Sequence, residues 1–211
     1  MFVLITAIAC TALVYCLRMN WLQPAAVAKV VASTGFLLTA ISAGALKHRV
    51  GQIVFAGLVL SMVGDMALIN PSRRFFLIGL GAFLLAHIAY ITAFVSYGQD
   101  RRWALTAAGP VMVAAIGVLV WMMPYASDDL AMPVRLYTAV ISLMVITAFG
   151  ACGAGASKLV VAGAIMFFLS DLSVASLRVV VTDLPTFIWG LPLYYAGQIC
   201  IALGAAQSRS Q

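Results

Sequence analysis

Eight apolar runs, joined by connections too short to be anything but turns, constrain this chain more than any other feature. They cover 2–17, 24–43, 50–69, 75–97, 103–123, 130–151, 158–181 and 185–206. The hydrocarbon core of a bilayer is about 30 Å thick, so a helix needs about 20 apolar residues to cross it. Most of the runs have that length. The connections carry the expected breakers: Asn-Pro-Ser at 70–72, Tyr-Gly-Gln-Asp at 97–100, a Pro-Tyr-Ala-Ser-Asp-Asp stretch at 124–129 and Gly-Ala-Gly at 153–155. The sequence predicts an all-α polytopic membrane protein, an eight-helix bundle forming one transmembrane domain over 1–211. Only 9% of residues are charged, where a soluble domain carries about 25%.

The formal charge of +6 does not point to nucleic acid. Basic residues stand singly or in pairs between apolar runs, as in loops at a membrane surface. All six acids are aspartate. Cys10, Cys16, Cys152 and Cys200 form no CxxC pair and read as small hydrophobes. The first run lacks a basic n-region and an A-x-A cleavage site, so it reads as a membrane helix, not a leader.

Eight spans put both termini on one side. Loops there carry Lys47, Arg49, Arg101, Arg102, Lys158 and Arg209, against Arg18, Arg73, Arg74 and Arg178 on the other. The excess predicts cytoplasmic termini, with Asp128, Asp129 and Asp183 outside.

Against this apolar background, Asp65 stands out. It lies inside the apolar stretch 58–69 with no local partner, and a carboxylate mid-membrane costs about 2.5–3.5 kcal/mol on insertion scales. Such a residue is expected to face the bundle interior and meet partners there. At a rise of about 1.5 Å per residue, Asp65 lies about 22 Å along its helix and Asp171 about 20 Å along its own, both in the outer half. Lys29, Arg135 and Tyr137 fall at similar depth. His87, Tyr194, Tyr195 and Gln198 fall nearer the midplane. Six helices therefore deliver polar groups to one zone. Faces agree: Gly57, Ser61 and Asp65 follow at i, i+4, i+8; His87 and Tyr90 at i, i+3; Tyr194 and Gln198 at i, i+4. Each residue also has a plainer reading. Lys29 and Arg135 can snorkel to headgroups, and the His, Tyr and Gln side chains can be interhelical packing.

A faint symmetry accompanies this. Lys29 precedes Asp65, and Arg135 precedes Asp171, by the same 36 positions. Ser-Met-Val-Gly-Asp at 61–65 resembles Phe-Phe-Leu-Ser-Asp at 167–171. Two parallel four-helix halves are a possible origin.

Two buried carboxylates in one cavity suit acid–base chemistry. One, kept from water, holds its proton, while a cation keeps the other ionised. No G-x-S-x-G elbow or HExxH is present, and His48 and His87 are the only histidines. A metal site would have to use Asp65, Asp171 and His87. A hydrolase, a proton-coupled transporter using the aspartate pair, and a lipid-binding module all remain open on these residues alone.

The chain resembles the lysoplasmalogenase, or YhhN-like, membrane family. The resemblance rests on Lys29, the 61–65 stretch, GLGAFLLAHIAYITAF at 79–94, Tyr137, Phe-Leu-Ser-Asp at 168–171 and Tyr-Tyr-Ala-Gly-Gln at 194–198. It departs at Val30, where the family often has proline. The resemblance implies hydrolysis of the vinyl ether bond of a lysoplasmalogen to a fatty aldehyde and glycerophosphoethanolamine or glycerophosphocholine, without a metal or other cofactor. Asp65 and Asp171 would then be catalytic. Lys29, His87, Tyr90, Tyr137, Tyr194, Tyr195 and Gln198 would bind and orient the lysophospholipid. The expected location is a bacterial inner membrane, with lipid and not nucleic acid as partner.

Overall fold

The computed structural model describes residues 1–207; Arg209, counted above among the loop charges, lies outside the described residues. Eight α-helices follow one another: α1 (Phe2–Arg18), α2 (Leu22–Ser42), α3 (Arg49–Ala67), α4 (Arg73–Tyr97), α5 (Arg101–Met122), α6 (Asp128–Gly153), α7 (Lys158–Ala175) and α8 (Phe187–Ala206). There are no strands among the described residues. Helices α2 to α8 are long and apolar enough to cross a membrane, and α1 is a shorter apolar helix. The protein is a multi-pass membrane bundle, as its apolar runs predict.

Boundaries move by a few residues, for local reasons. Helix α5 starts at Arg101 and not at 103 because Asp100 caps it, accepting from the backbone N–H groups of Arg102 and Trp103. Between α3 and α4, Asn70 accepts from the Ser72 backbone N–H at 2.9 Å, closing a one-sided turn around Pro71. The largest departure is in α7. Its α-helical part stops at Ala175 and continues as a π-turn, Ser176–Val180, ending at Val181 with φ 58°. A β-branched residue in the left-handed region is strained.

Consecutive helices pack as hairpins: α1 on α2, α3 on α4, α5 on α6, α7 on α8. Helix α2 also packs on α3 and α8, and α6 on α7 and α4. Moving each of these partners four helices along the chain gives another pair from the same set. Helix α8 breaks the pattern, since it also touches α1 and α3 and thereby sits centrally. Helix α5 is peripheral and turns Leu105, Val113 and Val120 outward. Helices α7 and α8 cross closely. A Cβ on Gly163 would stand 2.6 Å from the Gly197 carbonyl oxygen, and one on Gly197 would stand 3.0 Å from that of Gly163. Only glycine admits two backbones this close.

Candidate active site

Polar chemistry gathers at the end of the bundle where α3 and α7 finish. Helix α2 places Lys29 and Ser33 one turn apart on one face. Lys29 Nζ lies 3.7 Å from Asp65 Oδ1, and the Ser33 hydroxyl donates to Asp65 Oδ2 at 2.7 Å. From α8, the Tyr194 hydroxyl donates to the same oxygen at 2.8 Å. Asp65 thus has a cation and two donors, and its side chain is only 3% exposed. Lys29 does not reach for headgroups; it turns inward.

Asp171 sits differently. The Tyr137 hydroxyl donates to its Oδ2 at 2.7 Å, and His87 Nε2 stands 4.0 Å away, beyond direct hydrogen-bond reach. No lysine or arginine pairs with it among the described residues. Its side chain is 18% exposed.

Both carboxylates line one cavity of about 310 Å³, with Lys29, Tyr137 and Tyr194 also in its wall. The remaining wall is mainly apolar, including Phe76, Leu80, Phe83, Ile141 and Phe168. A row of edge-to-face rings ties the two acids together. Tyr194 meets Phe167 at 5.3 Å, Phe167 meets His87 at 4.6 Å, and His87 meets Tyr137 at 5.2 Å between centroids. The hydroxyls at either end of the row hold the two carboxylates. Their separation is therefore fixed by packed aromatic rings, not by flexible chains.

Four of the expected residues do not line the cavity. His87, Tyr90, Tyr195 and Gln198 are buried behind it. Tyr90 donates to Gln198 Oε1 at 2.8 Å and lies 3.4 Å from the Ser61 hydroxyl. That contact is possible because Gly57, one turn before Ser61, offers no Cβ against the Tyr90 ring. Tyr195 stands 3.5 Å from the Ser33 hydroxyl and packs on Tyr194. These residues support the wall. Among the described residues, Gln198 Nε2 has no hydrogen-bond partner, and the His87 ring has no side-chain one, its polar contact being to the Phe83 backbone. Arg135 is exposed and does not meet Asp171; Tyr137, two positions on, takes the place that the Lys29 analogy gave it. Asp65, Asp171 and His87 do not come together as a three-ligand metal set, and no other such group forms among the described residues.

Two lining or supporting residues were missed from sequence. Ser33 carries its signal in the four-residue spacing from Lys29. Arg178, counted as a loop charge, lines the cavity seven residues after Asp171.

An all-helical membrane bundle with two differently held carboxylates in one mainly apolar cavity defines the class. Residues 25–205 match the YhhN family, and the chain belongs to it. It is 36% identical over 116 residues to a lysoplasmalogenase of Mycobacterium tuberculosis (strain CDC 1551 / Oshkosh), covering 51% of this chain and 44% of that protein. It is 30% identical to lysoplasmalogenase TMEM86A of Bos taurus over 83% of this chain and 70% of the relative. For TMEM86A of Homo sapiens the identity is 32%, over 78% and 69%. The match thus spans less than half of the mycobacterial relative's length. No solved structure matches the chain at a significant level.

Proposed function

We propose that this protein is a membrane-embedded hydrolase that cleaves the vinyl ether bond of a lysoplasmalogen, releasing a fatty aldehyde and glycerophosphoethanolamine or glycerophosphocholine. The observation that carries the reading is the contrast between two carboxylates in one cavity. Asp65, with a cation and two donors, is built to stay a carboxylate. Asp171, with one donor and no cation, is built to carry a proton.

The chemistry then runs on protons alone. Asp171 protonates the alkenyl carbon distal to the ether oxygen, and the carbon bonded to that oxygen becomes an oxocarbenium ion. The Asp65 carboxylate stabilises this cation in a water-poor wall, where a fixed charge is worth more than in water. Water adds to the cationic carbon and gives its proton to the Asp171 carboxylate, restoring the acid. The hemiacetal collapses to the aldehyde and the glycerol hydroxyl. Tyr137 orients Asp171, and Lys29, Ser33 and Tyr194 hold Asp65. His87, buried behind the wall with its ring against Tyr137, helps fix the tyrosine that orients Asp171.

The relatives' names and the apolar wall support a single-chain lipid as substrate. Cytoplasmic termini in a bacterial inner membrane complete the proposal. The test is aldehyde release from lysoplasmalogen by purified protein. Asp171→Asn should lower the rate at least 1,000-fold and Asp65→Asn at least 100-fold, the scale of losing an acid or a charge stabiliser. Wild-type rates in both would end the assignment. Proton-driven flux in proteoliposomes without lipid turnover would favour the transporter instead.

A further inference from the structure

Among the described residues, two basic side chains line the cavity, Lys29 and Arg178. Lys29 is committed to Asp65 at 3.7 Å. Arg178 pairs with no carboxylate among the described residues. Its Nη1 donates to the Pro71 carbonyl at 3.2 Å, across to the α3–α4 connection. A guanidinium has five N–H donors, so this contact fixes the fork and leaves four for something else. The backbone is arranged around it. Arg178 is the central residue of the π-turn, and strained Val181 closes that turn three residues later. The Asn70–Ser72 turn in turn presents the Pro71 carbonyl.

We infer that Arg178 is the anchor for an anionic phosphodiester, the headgroup phosphate of the lipid whose ether end reaches Asp171. This rests on the hydrolase reading for the identity of the lipid, but not for the anion site itself. The spacing supports it. Asp171 and Arg178 stand seven residues apart and both line the cavity, four of the steps in α7 and three in the π-turn, so their backbones are separated by at most about 10 Å along the axis. In a lysoplasmalogen, six bonds connect the alkenyl carbon on the ether oxygen to phosphorus, a reach of roughly 7 Å when extended. A carboxyl at one end and a guanidinium at the other add the remaining length. The stretch from Asp171 to Arg178 thus measures the glycerol between the reacting carbon and the phosphate. A planar fork also matches phosphate oxygens better than an ammonium does.

The experiment measures binding, separately from turnover, in maltoside micelles free of phospholipid. The probes are 1-O-alkyl-glycerophosphoethanolamine, which lacks the cleavable double bond, and 1-O-alkylglycerol, which lacks the phosphate. Wild type should prefer the phosphate-bearing ligand by about tenfold or more, the scale of a charge-assisted hydrogen bond. Arg178→Gln should lose that preference while still binding the alkylglycerol, and Arg178→Lys should keep part of it. The inference falls if Arg178→Gln retains the preference, or if it weakens both ligands equally as a merely structural residue would. Inorganic phosphate at millimolar concentration is the third arm. If it raises the thermal midpoint of wild type as much as the lipid does, the site takes free phosphate and the headgroup assignment is overturned. Arg178-dependent preference without aldehyde release from lysoplasmalogen would sink the hydrolase and leave the anion site standing. Aldehyde release with an unchanged preference in Arg178→Gln would do the reverse.

Discussion

Lys29 and Asp65 form a pair with little access to water, their side chains 13% and 3% exposed. Removing one member of such a pair strands the other, at a cost of about 3–5 kcal/mol. Lys29→Met should therefore destabilise strongly, while Lys29→Met combined with Asp65→Asn should recover much of the loss without recovering activity. Thermal melts of the three variants check this; a double variant no more stable than the single would mean the pair is not coupled. Ser33→Ala should cut turnover about 10- to 100-fold with a smaller stability change, because a hydrogen bond to a charged group is worth about 1.5–3 kcal/mol. At this scale, charge was legible in the sequence and phase was not. An aspartate in an apolar run announces itself by its cost. A serine does not, because hydroxyls in membrane helices usually bond back to their own helix, as Thr39, Thr138 and Ser142 do here. Ser33 is an exception: its four-residue spacing from Lys29 hints at a shared face, and its bond to Asp65 on α3 shows what that face meets. Lys29 and Arg135 occupy similar depths and similar sequence settings, yet one turns inward and the other outward. Which face a helix shows its neighbours is set by the whole bundle.

Between α7 and α8, two glycines govern how Asp171 and Tyr194 stand relative to each other. Gly163→Ala would drive a methyl group to 2.6 Å from a backbone carbonyl that cannot rotate away. Overpacking of this kind costs about 1–3 kcal/mol, and here it should also lower turnover, since α8 brings Tyr194 to Asp65. Gly109→Ala and Gly117→Ala on α5 are the contrast. A Cβ at either meets nothing within 4 Å, so both should be neutral or stabilising by up to about 1 kcal/mol through helix propensity. Equal losses at Gly163 and Gly109, measured by melting in detergent, would contradict the packing argument. All eight helices were legible as apolar runs, and most ends fell within two or three residues. The π-turn was not. Residues 176–180, Ser-Leu-Arg-Val-Val, continue the apolar pattern of α7, and nothing in it marks the wider turn that brings Arg178 to the cavity.

At the level of the whole bundle, the cavity lies toward the end where α3 and α7 finish, and the side of the membrane that this end meets follows from the proposed orientation. The proposed orientation puts the termini in the cytoplasm and the ends of α3 and α7 outside, so the headgroup anchor meets lipid in the outer leaflet. Lysoplasmalogen added from outside inserts into that leaflet first. Its zwitterionic headgroup crosses the hydrocarbon slowly, because desolvating charged groups is expensive. Intact spheroplasts expressing the protein should therefore release aldehyde from added lysoplasmalogen without permeabilisation. Inverted vesicles should do so only after detergent admits the lipid to their inner leaflet. Reporter fusions fix the orientation independently: a fluorescent protein at the C-terminus should glow, and alkaline phosphatase there should stay inactive. If the fusions place the termini outside, the dependence on vesicle sidedness should reverse with them. If they place the termini inside and inverted vesicles still turn over lipid at once, the cavity does not open where the ends of α3 and α7 place it.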